Sequence, residues 1–322
     1  MVLAIAAANA ILQEAAFRAT ALAQTARSTM GAGDHTITLQ HGGRRRSYVV
    51  HVPRAGADRP RPVVLAFHGG GGEAGGFKDY AGLDIVADRE GFVVAYPNGS
   101  GVLPRRLLTW NAGECCGYAM NQRVDDTGFA IAVLDDLARR TSIDPRRVYA
   151  TGHSNGAMMA YRLGTERAER IAAIVPVAGG ISQDRFAPSR RIALLAIHSV
   201  DDPRALYEGG VGPPFPGTDV RSSHRPVSEG LEKWRRHNGC SASTRVAETR
   251  KGRSGSTVQT ATLLEWEGCT AGARVAHWKL TGVGHGWPGT APRARDDVIG
   301  TPTMLVTTAE EIWRFVSGVA RD

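Results

Sequence analysis

Five residues, Gly152-His153-Ser154-Asn155-Gly156, constrain this 322-residue chain more than any other stretch. Before them Val148-Tyr149-Ala150-Thr151 reads as the end of a buried strand, and after them Ala157 to Leu163 reads as a helix. A sharp turn from strand to helix tolerates only Gly at its crowded flanks. It lifts the central Ser hydroxyl clear of the sheet, with a helix N-terminus behind it. His153, the last strand residue, is expected to face the core or the neighbouring helix.

Two further features flank this turn in a fixed order. Upstream, the apolar run Pro62 to Phe67 ends in His68-Gly69-Gly70-Gly71-Gly72. Successive glycines let backbone N–H groups converge on one spot, as an oxyanion site requires. The run lacks the G-K-[ST] ending of a phosphate-binding loop, and no G-x-G-x-x-G precedes an acidic residue at dinucleotide-binding spacing. Downstream, the apolar run Arg191 to Ile197 leads into His198-Ser199-Val200-Asp201-Asp202, and Trp278-Lys279-Leu280 leads into a Gly-rich loop around His285. Ser154, then Asp202 or Asp201, then His285 is the chain order of α/β-hydrolases, and each group stands at a strand's carboxyl end, where open α/β sheets place their sites. The expected fold is therefore an α/β-hydrolase, a mostly parallel central sheet with helices on both faces.

The remaining periodicity agrees. His35 to Gln40 and Arg46 to Val52 alternate at period two around a Gly42-Gly43 turn, and Phe92 to Pro97, Ile171 to Val177 and Thr257 to Trp266 read as strands. Helical stretches are expected over Tyr80 to Arg89 and Asp126 to Arg140, with Asp125 and Asp126 as caps of the latter. A capping box, Thr308 to Glu311, is expected to open a last helix.

At 42% apolar residues and with no Pro/Ser-rich linker or charge block, residues 34–322 read as one catalytic domain. The net charge of +8 is carried mostly by scattered arginines that do not alternate with aromatics, so no nucleic-acid footprint is expected. Residues 1–33 read as a leader, either an export signal or a loose amphipathic segment, whose apolar run, Met1 to Leu12, is too short to span a membrane. Cys240 and Cys269 bracket the Thr257 to Trp266 strand just before the His285 loop. A bridge there would close a loop of about thirty residues, hold the His285 loop and favour an oxidising compartment, extracellular or periplasmic. Cys115 and Cys116 are adjacent, either a vicinal bridge or buried thiols. None of the four cysteines has metal-site spacing.

Between His68 and Gly289 the chain resembles the secreted esterases grouped as poly(3-hydroxybutyrate) depolymerases and feruloyl or acetylxylan esterases. The matching pieces include Phe67 to Gly71, Ala95 to Gly99, Trp110 to Gly113, Cys115 to Gly117, Val124 to Asp126, Asp144 to Tyr149, Ser154 to Gly156, Asn238 to Cys240 and His285 to Gly289. The resemblance implies Ser154 as nucleophile, Asp202 as acid, His285 as base, and extracellular hydrolysis of a small or oligomeric carboxylic ester. From the chemistry of such a site, the oxyanion would meet the N–H groups of Asn155 and of Gly70 or Gly71, without metal or organic cofactor. Trp110 and Trp287 are the expected substrate-binding aromatics, with Tyr96 nearby; Phe77 and Tyr80 are expected to pack. The loop from Glu208 to Pro226 is expected to shape the cleft. A serine peptidase of the same fold, or a non-catalytic binding protein on it, are the alternatives.

Overall fold

The structure is a computed structural model that describes residues 30–215, 219–270, 272–291 and 296–321, so most of the leader expected at 1–33 lies outside the described residues. The chain opens with the hairpin β1 (Gly33–His41) and β2 (Arg44–Val52), turned by Gly42 and Gly43 at φ 56° and 69°. Both central positions of so tight a turn need positive φ, which explains the glycine pair. There follow β3 (Arg61–Phe67), α1 (Ala74–Ala81), α2 (Leu83–Glu90), β4 (Val93–Pro97), α3 (Gly117–Asn121) and α4 (Asp126–Arg140). Next come β5 (Ile143–His153), α5 (Asn155–Glu166), β6 (Ala173–Val177), β7 (Ala193–Ser199), the small ladder β8 (Gly210–Val211) and β9 (Ser223–His224), and α6 (Val227–His237). The chain closes with β10 (Thr244–Ser254), β11 (Thr257–Trp266), β12 (Val275–Thr281), α7 (Asp296–Ile299) and α8 (Thr308–Val316).

Ten of these strands form one sheet in the order β1-β2-β4-β3-β5-β6-β7-β12-β11-β10. Its centre, from β4 to β12, is parallel, and antiparallel pairs flank it on both sides. Every residue of β3, β4, β6 and β7 is buried, as expected of strands covered on both faces. The pleat of β3 divides the core. Val63, Leu65 and Phe67 pack with Phe129 and Val133 of α4 and Leu163 of α5, while Val64 and Ala66 pack with Val86 of α2 and Ile312 of α8.

Two helix expectations need correction. The stretch Tyr80 to Arg89 is not one helix but the junction of α1 and α2, broken at Gly82, whose φ of 64° ends one and begins the other. The capping box at Thr308 does not form: the helix already includes Thr308, and no side chain caps it. Glu311 instead accepts hydrogen bonds from Trp278 Nε1 at 3.2 Å, from Arg250 at 2.8 Å and from Arg314, because a buried carboxylate needs charged partners more than a helix needs a cap. The Cys240 and Cys269 sulfurs are bonded at 2.05 Å, linking the end of α6 to the turn after β11. That turn is at the opposite end of β12 from His285, so the bridge does not hold the His285 loop, contrary to expectation. No helix among the described residues is long and apolar enough to cross a membrane.

Candidate active site

Ser154 stands between the end of β5 and the start of α5 with φ 57° and ψ −118°. A non-glycine residue in that region is strained and persists only where its surroundings fix it. Here they do: the Ser154 N–H donates to Val177 O at 2.9 Å, and its carbonyl accepts from the N–H groups of Ala157 and Met158. A Cβ on Gly152 would collide with the Gly156 carbonyl, and one on Gly156 with the Phe67 carbonyl. Both flanking glycines are therefore demanded by the close passage of β3, β5 and α5.

His285 lies on the loop after β12, its N–H donating to Ile299 O at 2.5 Å. Its Nδ1 donates to Asp202 Oδ2 at 2.7 Å, which leaves the Nε2 lone pair free to act as a base. Asp202 lies on the loop after β7, near its start, is buried, and takes the N–H groups of Arg204 and Ala205 on Oδ1, each at 2.8 Å. His198 Nε2 adds a contact at 3.4 Å to Oδ2. Burial works to raise the Asp202 carboxyl; His285 and His198 outweigh it and hold the group far below the ordinary carboxylate range. Asp201, the other acid considered, is exposed, and its Oδ2 accepts the Gly282 N–H at 2.7 Å.

The Gly-rich loop is held by His68. Gly99 N–H donates to its Nε2 at 3.0 Å while its Nδ1 donates to Gly69 O at 2.8 Å, which fixes the tautomer. Burial pushes its pKa down to about 4, so the ring is neutral at working pH. Gly71 N–H is taken by Leu108 O at 2.8 Å and Gly72 N–H by Gly69 O at 3.0 Å. Of the two expected donors, Gly71 is thus committed to the backbone; the Gly70 N–H has no partner among the described residues. The Asn155 side chain grips the main chain of Trp110 from both sides, accepting its N–H at 2.7 Å and donating to its carbonyl at 3.1 Å. This leaves the Asn155 N–H, at the first turn of α5, pointing out of the helix. Behind Trp110, Asp126 is buried and accepts from Asn111 N–H at 2.8 Å and Arg46 at 2.7 Å. Asp125 alone caps α4, on Gly128 N–H at 2.9 Å; Asp126 is a brace, not the cap expected of it.

His153 also departs from expectation. Part of its ring borders the site, and its Nε2 donates to the His285 carbonyl at 2.6 Å. Burial, with the nearby His285 imidazole, pushes its pKa down to about 3. It is a neutral prop for the main chain of His285.

Ser154 and His285 open onto one cavity of about 450 Å3. Neither Trp110 nor Trp287 lines it, and both are buried. A buried indole must satisfy its N–H: Trp110 Nε1 donates to His68 O at 2.9 Å and Trp287 Nε1 to Ala81 O at 3.2 Å. Tyr96 is buried too, donating to Asp84 Oδ1 at 2.7 Å. The aromatic walls come instead from Phe77 and Tyr80, expected only to pack, and from Phe215. Phe215 and His224 come from the loop between Glu208 and Pro226, of which residues 216–218 lie outside the description. Cys115 and Cys116, paired with each other across a cis peptide bond, form part of the wall beside Ser222. Phe215 and His224 belong to the loop expected to shape the cleft, while Arg204 and Met158 are not singled out by the sequence, and only proximity in sequence to Asp202 and Ser154 signals them.

The family profile described as Esterase PHB depolymerase matches residues 46–224. "Putative esterase NocK" of Nocardia uniformis subsp. tsuyamanensis is 30% identical over 299 residues, covering 88% of this chain and 84% of that protein. Feruloyl esterase B of Piromyces equi is 24% identical over 247 residues, 74% of this chain; the chain spans only 42% of that protein's length. Among solved structures, the acetyl xylan esterase from Aspergillus awamori superposes with a TM-score of 0.51 at 15% identity, over 88% of this chain and 99% of that one, a likeness of fold.

Proposed function

This chain belongs to the Esterase PHB depolymerase family, and from that premise we propose that Ser154, His285 and Asp202 are the catalytic triad of a serine esterase. The chain is a carboxylic ester hydrolase. Ser154 Oγ attacks the ester carbonyl carbon as His285 Nε2 takes its proton, and Asp202 holds the imidazole in the required tautomer and stabilises the imidazolium. The oxyanion is met by the N–H groups of Asn155 and Gly70. Collapse of the intermediate expels the alcohol, protonated by His285, and leaves an acyl-enzyme. Water activated by His285 then releases the acid. The observation that carries this reading is the 2.7 Å His285–Asp202 hydrogen bond on the wall of the cavity that Ser154 also borders.

The cavity's size and aromatic walls suit soluble or oligomeric esters, with hydroxybutyryl, feruloyl and acetyl esters as the first to compare. Residues 34–322 are read as one catalytic domain, supported by a sheet continuous from Gly33 to Thr281. Export to an extracellular or periplasmic compartment is supported by the Cys240–Cys269 bridge. Replacing Ser154 tests the mechanism: Ser154→Ala, with an unchanged circular dichroism spectrum, should lose turnover of 4-nitrophenyl butyrate by up to roughly six orders of magnitude. Turnover within tenfold of the parent would overturn the assignment.

A further inference from the structure

The cavity over Ser154 holds a cation, Arg204, that no side-chain carboxylate among the described residues pairs with. Arg204 follows Asp202 by two residues, and its side chain lines the cavity wall, half-buried. One guanidinium nitrogen donates to Pro214 O at 3.0 Å, and the guanidinium lies 6.0 Å from the centre of the Phe215 ring. No carboxylate among the described residues pairs with it. A guanidinium has five N–H donors in a planar fork, so most of its donors have no acceptor among the described residues. The acidic side chain on the wall, Glu73, is already spent: its two carboxyl oxygens take the N–H groups of Gly75 and Gly76 at the start of α1. His68 is hydrogen-bonded on both ring nitrogens to main chain, and His153 donates to the His285 carbonyl, so neither offers a competing charge.

An arginine left without an anion in a partly desolvated cavity selects for ligands that bring one. We propose that Arg204 is an anion subsite, and that the ester taken by this cavity carries a free carboxylate on its acid or its alcohol portion. The inference rests on the esterase reading of the same cavity and adds to it the charge of the substrate. It differs from a general attraction by the protein's positive net charge, because it depends on one guanidinium and on the ester reaching the cavity.

Two matched ester pairs test it in kcat/KM. The acid-side pair is mono-4-nitrophenyl glutarate and its methyl ester; the alcohol-side pair is 3-acetoxybutyrate and its amide, followed by acid release. The parent enzyme should prefer the carboxylate member of one pair, and Arg204→Gln should lower that charged-to-neutral ratio by about tenfold, as for loss of one charge-assisted hydrogen bond. Arg204→Lys should keep part of the ratio. Added salt at 0.5 M should narrow it in the parent, a readout that needs no variant. Ratios equal within about twofold in parent and Arg204→Gln for both pairs, or a parent that prefers the neutral member of both, would overturn the proposal. Failure of the esterase reading looks different: the parent would hydrolyse no member of either pair faster than Ser154→Ala does.

Discussion

The two neighbouring acids after β7 show how finely a site can depend on one residue. Asp202 receives two backbone N–H groups on one oxygen and His285 on the other, whereas Asp201 only anchors Gly282. Asp202→Asn should therefore cost on the order of 10⁴ in kcat through the lost imidazole tautomer, and Asp201→Asn should stay within about threefold; steady-state kinetics on 4-nitrophenyl butyrate separate them, and the opposite ranking would transfer the acid's role to Asp201. Which residues stand at strand ends is legible from sequence, because an apolar run followed by Gly, Ser or Asp marks the point where the chain leaves the sheet. Which way a large side chain turns from there is not. Trp110 and Trp287 sit on the expected loops yet turn inward, since an indole gains by edge-on packing against Phe67 and Phe77 and by giving its N–H to a carbonyl. The committed Gly71 N–H is equally hidden: its acceptor, Leu108, lies far along the chain.

Among the elements, those with an apolar run or an apolar period are legible in the sequence, and a polar strand is not. Asp126 to Arg140 and Thr257 to Trp266 have the bounds that the pattern gives them. β10 is not legible in the sequence because it is a polar strand with no buried residue to set an apolar alternation. The bridge that follows α6 acts at this scale. It joins Cys240 to Cys269 at the far end of β12, about 20 Å of strand from the His285 loop by the rise per residue. Replacing both cysteines by serine should lower the free energy of unfolding by roughly 3 kcal/mol in urea titrations, with kcat at 25 °C nearly unchanged. A kcat loss beyond about threefold would mean that the bridge governs the site after all.

For the molecule as a whole, pH acts through histidines buried in the neutral form. Burial pushes His68 down to about 4 and both His153 and His277 down to about 3, below the ordinary value near 6.5 that they regain on unfolding. Between those limits the unfolded chain binds more protons. Stability is then fully present above about pH 6.5 and is lost as pH falls toward 4. His51, raised by its hydrogen bonds to Asp34 and Asp88 against the pull of burial, works in the opposite sense, but it is one partly solvated group against several buried ones. Urea midpoints should therefore be clearly lower at pH 5 than at pH 7.5; equal midpoints would mean that these rings are already protonated in the fold. The sheet's last strand has a consequence for how copies of the protein meet. β10 ends the order of strands, so one row of its N–H and C=O groups faces outward, ready to template a strand from another molecule. Its exposed cations Lys251 and Arg253 stand along that margin, whereas Arg245 is paired with Glu265 and Arg250 with Glu248 and Glu311, and two identical cationic margins repel. High salt, or Lys251→Val with Arg253→Val, should turn this guarded margin into a seam for self-association, visible as rising light scattering well below the unfolding temperature.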